Sequence, residues 1–267
     1  MPKTIPCFQV DAFTRSPFAG NPAAVCPLDK WLDDSLMQAI AAENALSETA
    51  FFVRSEDGYE LRWFTPVCEV DLCGHATLAS AFVARECLGD RSATIRFQSK
   101  SGELRASVDG DALVLDFPRV DAVAIEPFDA LAMALGRPPI AVSRNYKAFV
   151  ACYESSEQVR ALTPDMLQIM GLNVRAVMVT ARGTGIDHDV DFVSRFFAPR
   201  AGIDEDPVTG SAHCTLAPLW AARLGKTQLL ARQVSKRTGE MTCTVTDDRV
   251  HLRGHAVLVK KGDFLLP

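Results

Sequence analysis

Hydrophobic positions along this chain recur with a period of two in some stretches and near 3.6 in others, and the changes of period set out an order of elements. Ile5 to Phe13 reads as an opening strand, followed by turn residues at Ser16-Pro17 and Gly20-Asn21-Pro22 and a short strand at Ala23 to Cys26. Leu36, Ile40 and Ala41 share one face of a helix capped by Asp33 or Asp34 and reaching about Ala45. Strands are expected at Thr49 to Arg54, Tyr59 to Phe64, Ala93 to Gln98, Leu104 to Val108 and Ala112 to Phe117, with Asp109-Gly110 as a strong turn signal between the last two. Pro118 to Val123 reads as a crossover. Beyond it the pattern predicts short helices near Phe128 to Leu135 and Met166 to Met170. Strands follow around Ala148 to Tyr153, Ala176 to Ala181, Val190 to Phe197, Leu229 to Ser235, Met241 to Thr246 and Val250 to Val259.

Two stretches of this pattern are the same stretch repeated. Phe64-Thr65-Pro66 leads to Cys73-Gly74-His75-Ala76-Thr77-Leu78 and a helix closed by Leu88-Gly89; Phe197-Ala198-Pro199 leads to Thr209-Gly210-Ser211-Ala212-His213-Cys214 and a helix closed by Leu224-Gly225. The match continues downstream, with Gly102-Glu103-Leu104 aligned to Gly239-Glu240-Met241. The spacing is far above that of solenoid arrays, so it predicts a duplicated domain. The expected fold is α+β, with two pseudo-symmetric lobes, each a curved, mainly antiparallel sheet wrapped around a central helix. Residues 1–118 form the first lobe and 119–267 the second, with the last ten or so residues able to pack on either. Each helix begins at a glycine, where first-turn N–H groups lack intrahelical acceptors and the dipole favours anions. Two such starts predict one inter-lobe site for a small carboxylate.

Composition narrows the function without naming it. A formal charge of −5 offers no basic stripe for a nucleic-acid backbone. The opening Met1-Pro2-Lys3-Thr4-Ile5-Pro6 lacks the apolar core of a secretion signal and no apolar run reaches membrane-spanning length, so a cytoplasmic protein with no membrane partner is expected. The eight cysteines show no Cys-x-x-Cys pair, which signals neither a zinc site nor a disulfide framework.

Three ordered motifs carry a resemblance. Asn44-Ala45-Leu46-Ser47-Glu48-Thr49-Ala50-Phe51, Leu72-Cys73-Gly74-His75-Ala76-Thr77 and Glu205-Asp206-Pro207-Val208-Thr209-Gly210-Ser211-Ala212 resemble the signatures of the PhzF-like phenazine-biosynthesis isomerases, a family sharing its two-lobed fold with diaminopimelate epimerase. Val10-Asp11-Ala12-Phe13 and Phe18-Ala19-Gly20-Asn21-Pro22 fit it as well. The resemblance implies a cofactor-independent isomerase and a homodimer. It also implies Glu48 as general acid/base, with His75, Asp206 and Ser211 around the substrate and Gly74, Gly210 and Asn21 as further contacts. A carboxylate suits that role when burial raises its pKa toward neutrality. Taken locally, Glu48 is equally a capping or solvent-facing acid, His75 a backbone-bonded imidazole, and Asp206 a cap or loop brace.

Two other readings stay open. Epimerases of this fold use one thiol from each lobe; Cys73 supplies the first, but its repeat partner is Thr209, whose hydroxyl needs a strong base to replace a thiolate. Cys73 is thus expected to be a packing residue, with a Cys73-dependent amino-acid epimerase as the alternative. The third reading is a non-catalytic small-molecule binding or protein-interaction module. Asp187-His188-Asp189-Val190-Asp191 invites a metal, but neighbours on a strand alternate faces, so none is expected. Arg182-Gly183-Thr184-Gly185 lacks dinucleotide-loop spacing and reads as a turn.

Overall fold

The computed structural model describes residues 3–266, which divide into two compact units. The first runs to Asp116 and resumes at Arg253; the second is continuous from Phe117 to Leu252. In the first unit come β1 (Lys3–Ala12), β2 (Asn21–Leu28), α1 (Asp34–Asn44), β3 (Glu48–Ser55), β4 (Gly58–Phe64), β5 (Glu69–Val70), α2 (Gly74–Phe82), β6 (Thr94–Ser99), β7 (Gly102–Asp109) and β8 (Ala112–Pro118), the last running across the division.

Pairing within this unit follows the connections. β1 and β2 are antiparallel, as are β3 with β4, β6 with β7 and β7 with β8, the last three pairs each joined by a short turn. β2 and β3 are parallel because α1 carries the chain back between them, and β4 and β6 are parallel because α2 does the same. The β2/β3 register sets Ala23 opposite Glu48, so the catalytic candidate opens its strand beside the start of β2. Every residue from His75 to Ala81 is buried, and α2 packs on β1, β2, β3 and β7. That is the central helix of the unit. It continues into one π-helical turn, Val83–Cys87, where the uninterrupted helix to Leu88 was expected. Leu88 N–H donates to Val83 O and Asp90 N–H to Ala84 O, so the wider turn closes the helix with its last carbonyls satisfied.

The second unit contains β9 (Val123–Ile125), α3 (Asp129–Leu135), β10 (Ala141–Arg144), β11 (Ala148–Cys152), α4 (Ser156–Ala161), α5 (Met166–Gly171), β12 (Ala176–Arg182), β13 (Phe192–Phe197), α6 (Gly210–Leu224), β14 (Gln228–Gln233), β15 (Gly239–Val245) and β16 (Arg249–Gly254). Its core joins Leu131, Leu135, Val159 and Ile169 of the short helices to Val177, Val179 and Phe197 of the strands. Helix α6 is buried from Ala212 to Pro218 and packs on β14 and β15. It carries an internal proline, Pro218, which has no N–H to give to Cys214 O four residues back. That carbonyl instead accepts from Val120 N–H at 3.1 Å, tying the Pro118 to Val123 segment to the helix.

Finally β17 (Ala256–Leu266) pairs antiparallel with β1 along its whole length, from Ala12↔Ala256 to Lys3↔Leu266. The single strand expected at Val250 to Val259 is therefore two strands that part at His255. Gly254 allows it: a Cβ there would lie 2.5 Å from Phe13 Cδ1 and 3.3 Å from Leu78 Cδ1 of α2. A second correction concerns Val190, which precedes its strand. Residues Gly185–Asp187 form a 3-10 turn instead, so the strand-alternation argument against a metal there does not apply. Those acids are held by cations: Asp187 by Arg160 and Arg232, Asp189 by Arg232 and Asp191 by Lys226. The two arginines hold the Asp187 carboxyl down at about 2. Arg182-Gly183-Thr184-Gly185 is the turn its spacing indicated.

Candidate active site

In the first unit the chain delivers four candidates to one place. The loop before β2 is braced by Asp11, wholly buried on β1, whose carboxylate accepts from Phe18 N–H at 2.7 Å. Gly20 turns the chain there with φ 65°, and a Cβ at this position would meet Ala12 O at 2.2 Å, a contact no other residue avoids. Asn21 follows, fully buried, and its Nδ2 lies 3.2 Å from His75 Nδ1. His75 stands on the first turn of α2, and its Nε2 lies 3.2 Å from Glu48 Oε2, a close polar contact whose angle is not that of a hydrogen bond. Cys73, the N-cap residue of α2, places Sγ 3.5 Å from His75 Nδ1. The side chains are nearly closed to solvent, His75 at 6% exposure and Glu48 at 12%.

Burial governs the imidazole. It pushes His75 from its ordinary value down to about 3, against an opposing hydrogen bond to the Pro22 carbonyl. His75 is thus neutral across the physiological range. Its two ring nitrogens face different partners, Nδ1 the Asn21 amide and the Cys73 thiol, Nε2 the Glu48 carboxylate. Thr77 Oγ1, one turn further along α2, donates to Cys73 O at 2.6 Å and fixes the start of the helix.

The second unit repeats the construction with other chemistry. Thr209 occupies the N-cap of α6, with φ −113° and ψ 97° against −142° and 112° at Cys73. Its hydroxyl donates to Asp206 Oδ2 and its N–H to Gln233 Oε1 at 2.8 Å. Gln233 Nε2 donates to Asp206 O at 2.6 Å, so one buried amide side chain closes the Asp206–Thr209 turn at both ends. His213 Nδ1 lies 2.8 Å from Thr209 O, in the place that Thr77 takes in the first unit. Burial takes His213 down to about 4, opposed by that bond. Gly210 is buried at the helix start, whereas Ser211 is exposed, with its hydroxyl unengaged among the described residues.

All seven sequence candidates thus lie at or beside the two helix starts: Asn21, Glu48, Gly74 and His75 in one unit, Asp206, Gly210 and Ser211 in the other. Asp206 accepts from the hydroxyl of Thr209, the N-cap residue of α6, whose own side chain makes no cap bond. Sequence reasoning passed over Gln233 and His213, since a glutamine on a strand and a histidine inside a buried helix carry no motif signal. Cys214 is inert by position, its thiol pushed up to about 12 by burial, and all eight cysteines are free. Among the described residues no helix is long and apolar enough to cross a membrane.

An α+β chain with a neutral histidine beside a largely buried glutamate, and a matched helix start in each unit, has the architecture of the epimerase-like isomerases. The comparisons narrow this. The profile of the phenazine biosynthesis-like proteins, the PhzC-PhzF family, matches residues 10–262, and the chain belongs to that family. It is 51% identical over 255 residues to an uncharacterized isomerase of Pseudomonas aeruginosa, covering 96% of each chain. The crystal structure of a PhzF family protein from Enterococcus faecalis superposes with a TM-score of 0.95 at 43% identity, over 99% of this chain and 100% of that one. A predicted epimerase of P. aeruginosa, at 21% identity and a TM-score of 0.72 over 98% and 100% of the two chains, shares the fold. The chain is an isomerase of the PhzF-like type.

Proposed function

We propose that this isomerase moves a proton between carbons of a small carboxylated metabolite without a cofactor, with Glu48 as the general acid/base. The reading rests above all on Glu48 Oε2 lying 3.2 Å from Nε2 of a buried histidine that stays neutral. In this scheme the Glu48 carboxylate takes a proton from a carbon made acidic by a neighbouring unsaturated or carbonyl group. The electron pair moves into that group, and Glu48, now a carboxylic acid, returns the proton to a different carbon. His75 orients the carboxylate and stabilises developing charge, and Asn21 holds the ring in place through its contact with Nδ1. The repeat supports assigning the second helix start to the same substrate: the Ser211 hydroxyl and the N–H groups after Gly210 receive its carboxylate, and Asp206 sets their geometry through Thr209. A homodimer belongs to the same proposal.

The 3.5 Å approach of Cys73 Sγ to His75 favours a second reading, a thiol-dependent epimerase. Thr209 at the matching position weighs against it, since a hydroxyl bonded to a carboxylate is far from a thiolate in acidity. The test is proton exchange by NMR in deuterated buffer with a panel of small carboxylates, dihydroaromatic amino acids included. Exchange present in wild type and absent in Glu48→Gln supports the proposal. Exchange that survives in Glu48→Gln and disappears in Cys73→Ala moves the chemistry to the thiol. Ligand-induced stabilisation without exchange of any panel member favours a binding module.

A further inference from the structure

The proton-transfer scheme leaves Cys73 without work, although its sulfur is packed into the same buried cluster. Glu48, Cys73 and His75 each offer a ligand atom, and these three atoms all lie within 4.8 Å of one another. A tetrahedral site with bonds of about 2.0–2.3 Å spaces its donors roughly 3.3–3.8 Å apart, so rotations closing about 1 Å bring the three together. One pair already sits near that spacing, His75 Nε2 and Glu48 Oε2 at 3.2 Å. The imidazole independently points to a ligand: its Nε2 is buried, with no hydrogen-bond partner among the described residues, beside the Glu48 oxygen.

We infer that Glu48, Cys73 and His75 form a binding site for one borderline-soft divalent cation of the Zn²⁺ class, and that its occupancy shuts the enzyme off. The donor set decides the class. A thiolate and an imidazole select Zn²⁺ or Co²⁺ over Mg²⁺ or Ca²⁺, which take oxygen ligands. Binding exchanges the Cys73 S–H proton for the metal–sulfur bond and releases that proton to solvent. The cation then holds the carboxylate that would otherwise accept the substrate proton. Inhibition rests on the acid/base reading of Glu48; binding does not.

Co²⁺ titration of the substrate-free protein tests the binding. Wild type is expected to take one equivalent and develop a thiolate-to-cobalt charge-transfer band. Cys73→Ser, and Cys73→Ala as a second variant, are expected to lose the band and bind at least roughly 100-fold more weakly, with the thermal midpoint confirming the fold. The combined Cys7→Ser, Cys68→Ser variant, which removes the half-buried thiol of β1 and the exposed one, is expected to keep the band. No band in wild type, a band that survives loss of Cys73, or one that disappears with Cys7 and Cys68 overturns the site. Co²⁺ binding by a protein that shows no Glu48-dependent exchange sinks the functional reading and leaves the metal site standing. Glu48-dependent exchange without Co²⁺ binding does the reverse.

Discussion

The two helix starts share a backbone and differ in what they can ionise. At α2, Cys73 and His75 flank Gly74; at α6, Thr209 and Ser211 flank Gly210. Both N-caps are extended residues whose carbonyl takes a side-chain bond from four residues on, through Thr77 in one case and His213 in the other. The first start brings together an acid, an imidazole and a thiol, none more than slightly exposed. At the second, Asp206, Thr209 and Gln233 are bonded to one another, and Ser211 faces outward. Duplication supplied the geometry twice. On the proposed reading, proton chemistry belongs to one copy, while the other offers hydrogen-bond donors and a helix dipole.

The largest expected effect separates the copies by chemistry. Glu48→Gln, which keeps shape and removes the titratable group, lowers the exchange rate by about 10³-fold or more, read by NMR. A rate within threefold of wild type would break the asymmetry. His75→Asn comes next, lowering kcat by about 10²-fold with KM little changed, because it acts in the step rather than in binding. Ser211→Ala should show the opposite split, KM rising about tenfold with kcat nearly constant, as expected of a group that only holds the substrate. If steady-state kinetics find both variants changed in the same parameter, the division of labour is wrong.

A fourth comparison uses acid. The folded-state value of His213, about 4, lies below its ordinary 6.5, so between those two values the unfolded chain binds more protons than the folded one. His213 therefore contributes a fall in stability of at most about 3 kcal/mol as pH drops from 6.5 toward 4, beside the contribution of His75, whose value is lower still. His213→Gln should make that limb shallower, with the His75 contribution remaining, in calorimetric midpoints measured from pH 7 to pH 4. An unchanged limb would show that His213 protonates without cost. Smallest of all, Thr209→Val leaves Gln233 Nε2 bonded to the Asp206 carbonyl but strips the Asp206 carboxylate of the hydroxyl, costing about 1–2 kcal/mol in urea unfolding.

Most of the fold was legible because its signals are long. The α1 stripe, the β3/β4 hairpin and the repeated Phe-x-Pro to Leu-Gly segment each span enough residues for their period to be read. What escaped is short or depends on distant packing. Helix α4 carried a signal, Ser155 with Gln158 three residues on, and the Ser155 hydroxyl does accept from Gln158 N–H; six residues show no apolar stripe to draw the eye to it. β5, β9 and β10, of two to four residues, have no period at all. The parting of β16 from β17 is written in the fit of Gly254 against Phe13 and Leu78, which no local pattern contains. At the site, the motif residues were visible and their supports were not. Asp11, Gln233 and His213 act through contacts 7, 24 and 4 residues away in sequence, so only the folded chain shows what each one holds.

The pairing of β1 with β17 also sets a clock on synthesis. Phe117 to Leu252 is one uninterrupted stretch, with its own core among Leu131, Val179 and Phe197, and that core can collapse as soon as the stretch leaves the ribosome. β1 emerges ahead of the second unit, with β2 soon available on one edge, yet its other edge waits for Ala256–Leu266. Throughout that interval the nascent chain carries a strand with one side unpaired, open to wrong partners. β1 is thus made before the second unit and completed after it, and a stalled or clipped chain lacking residues past Arg253 would hold a finished second unit and an unfinished first.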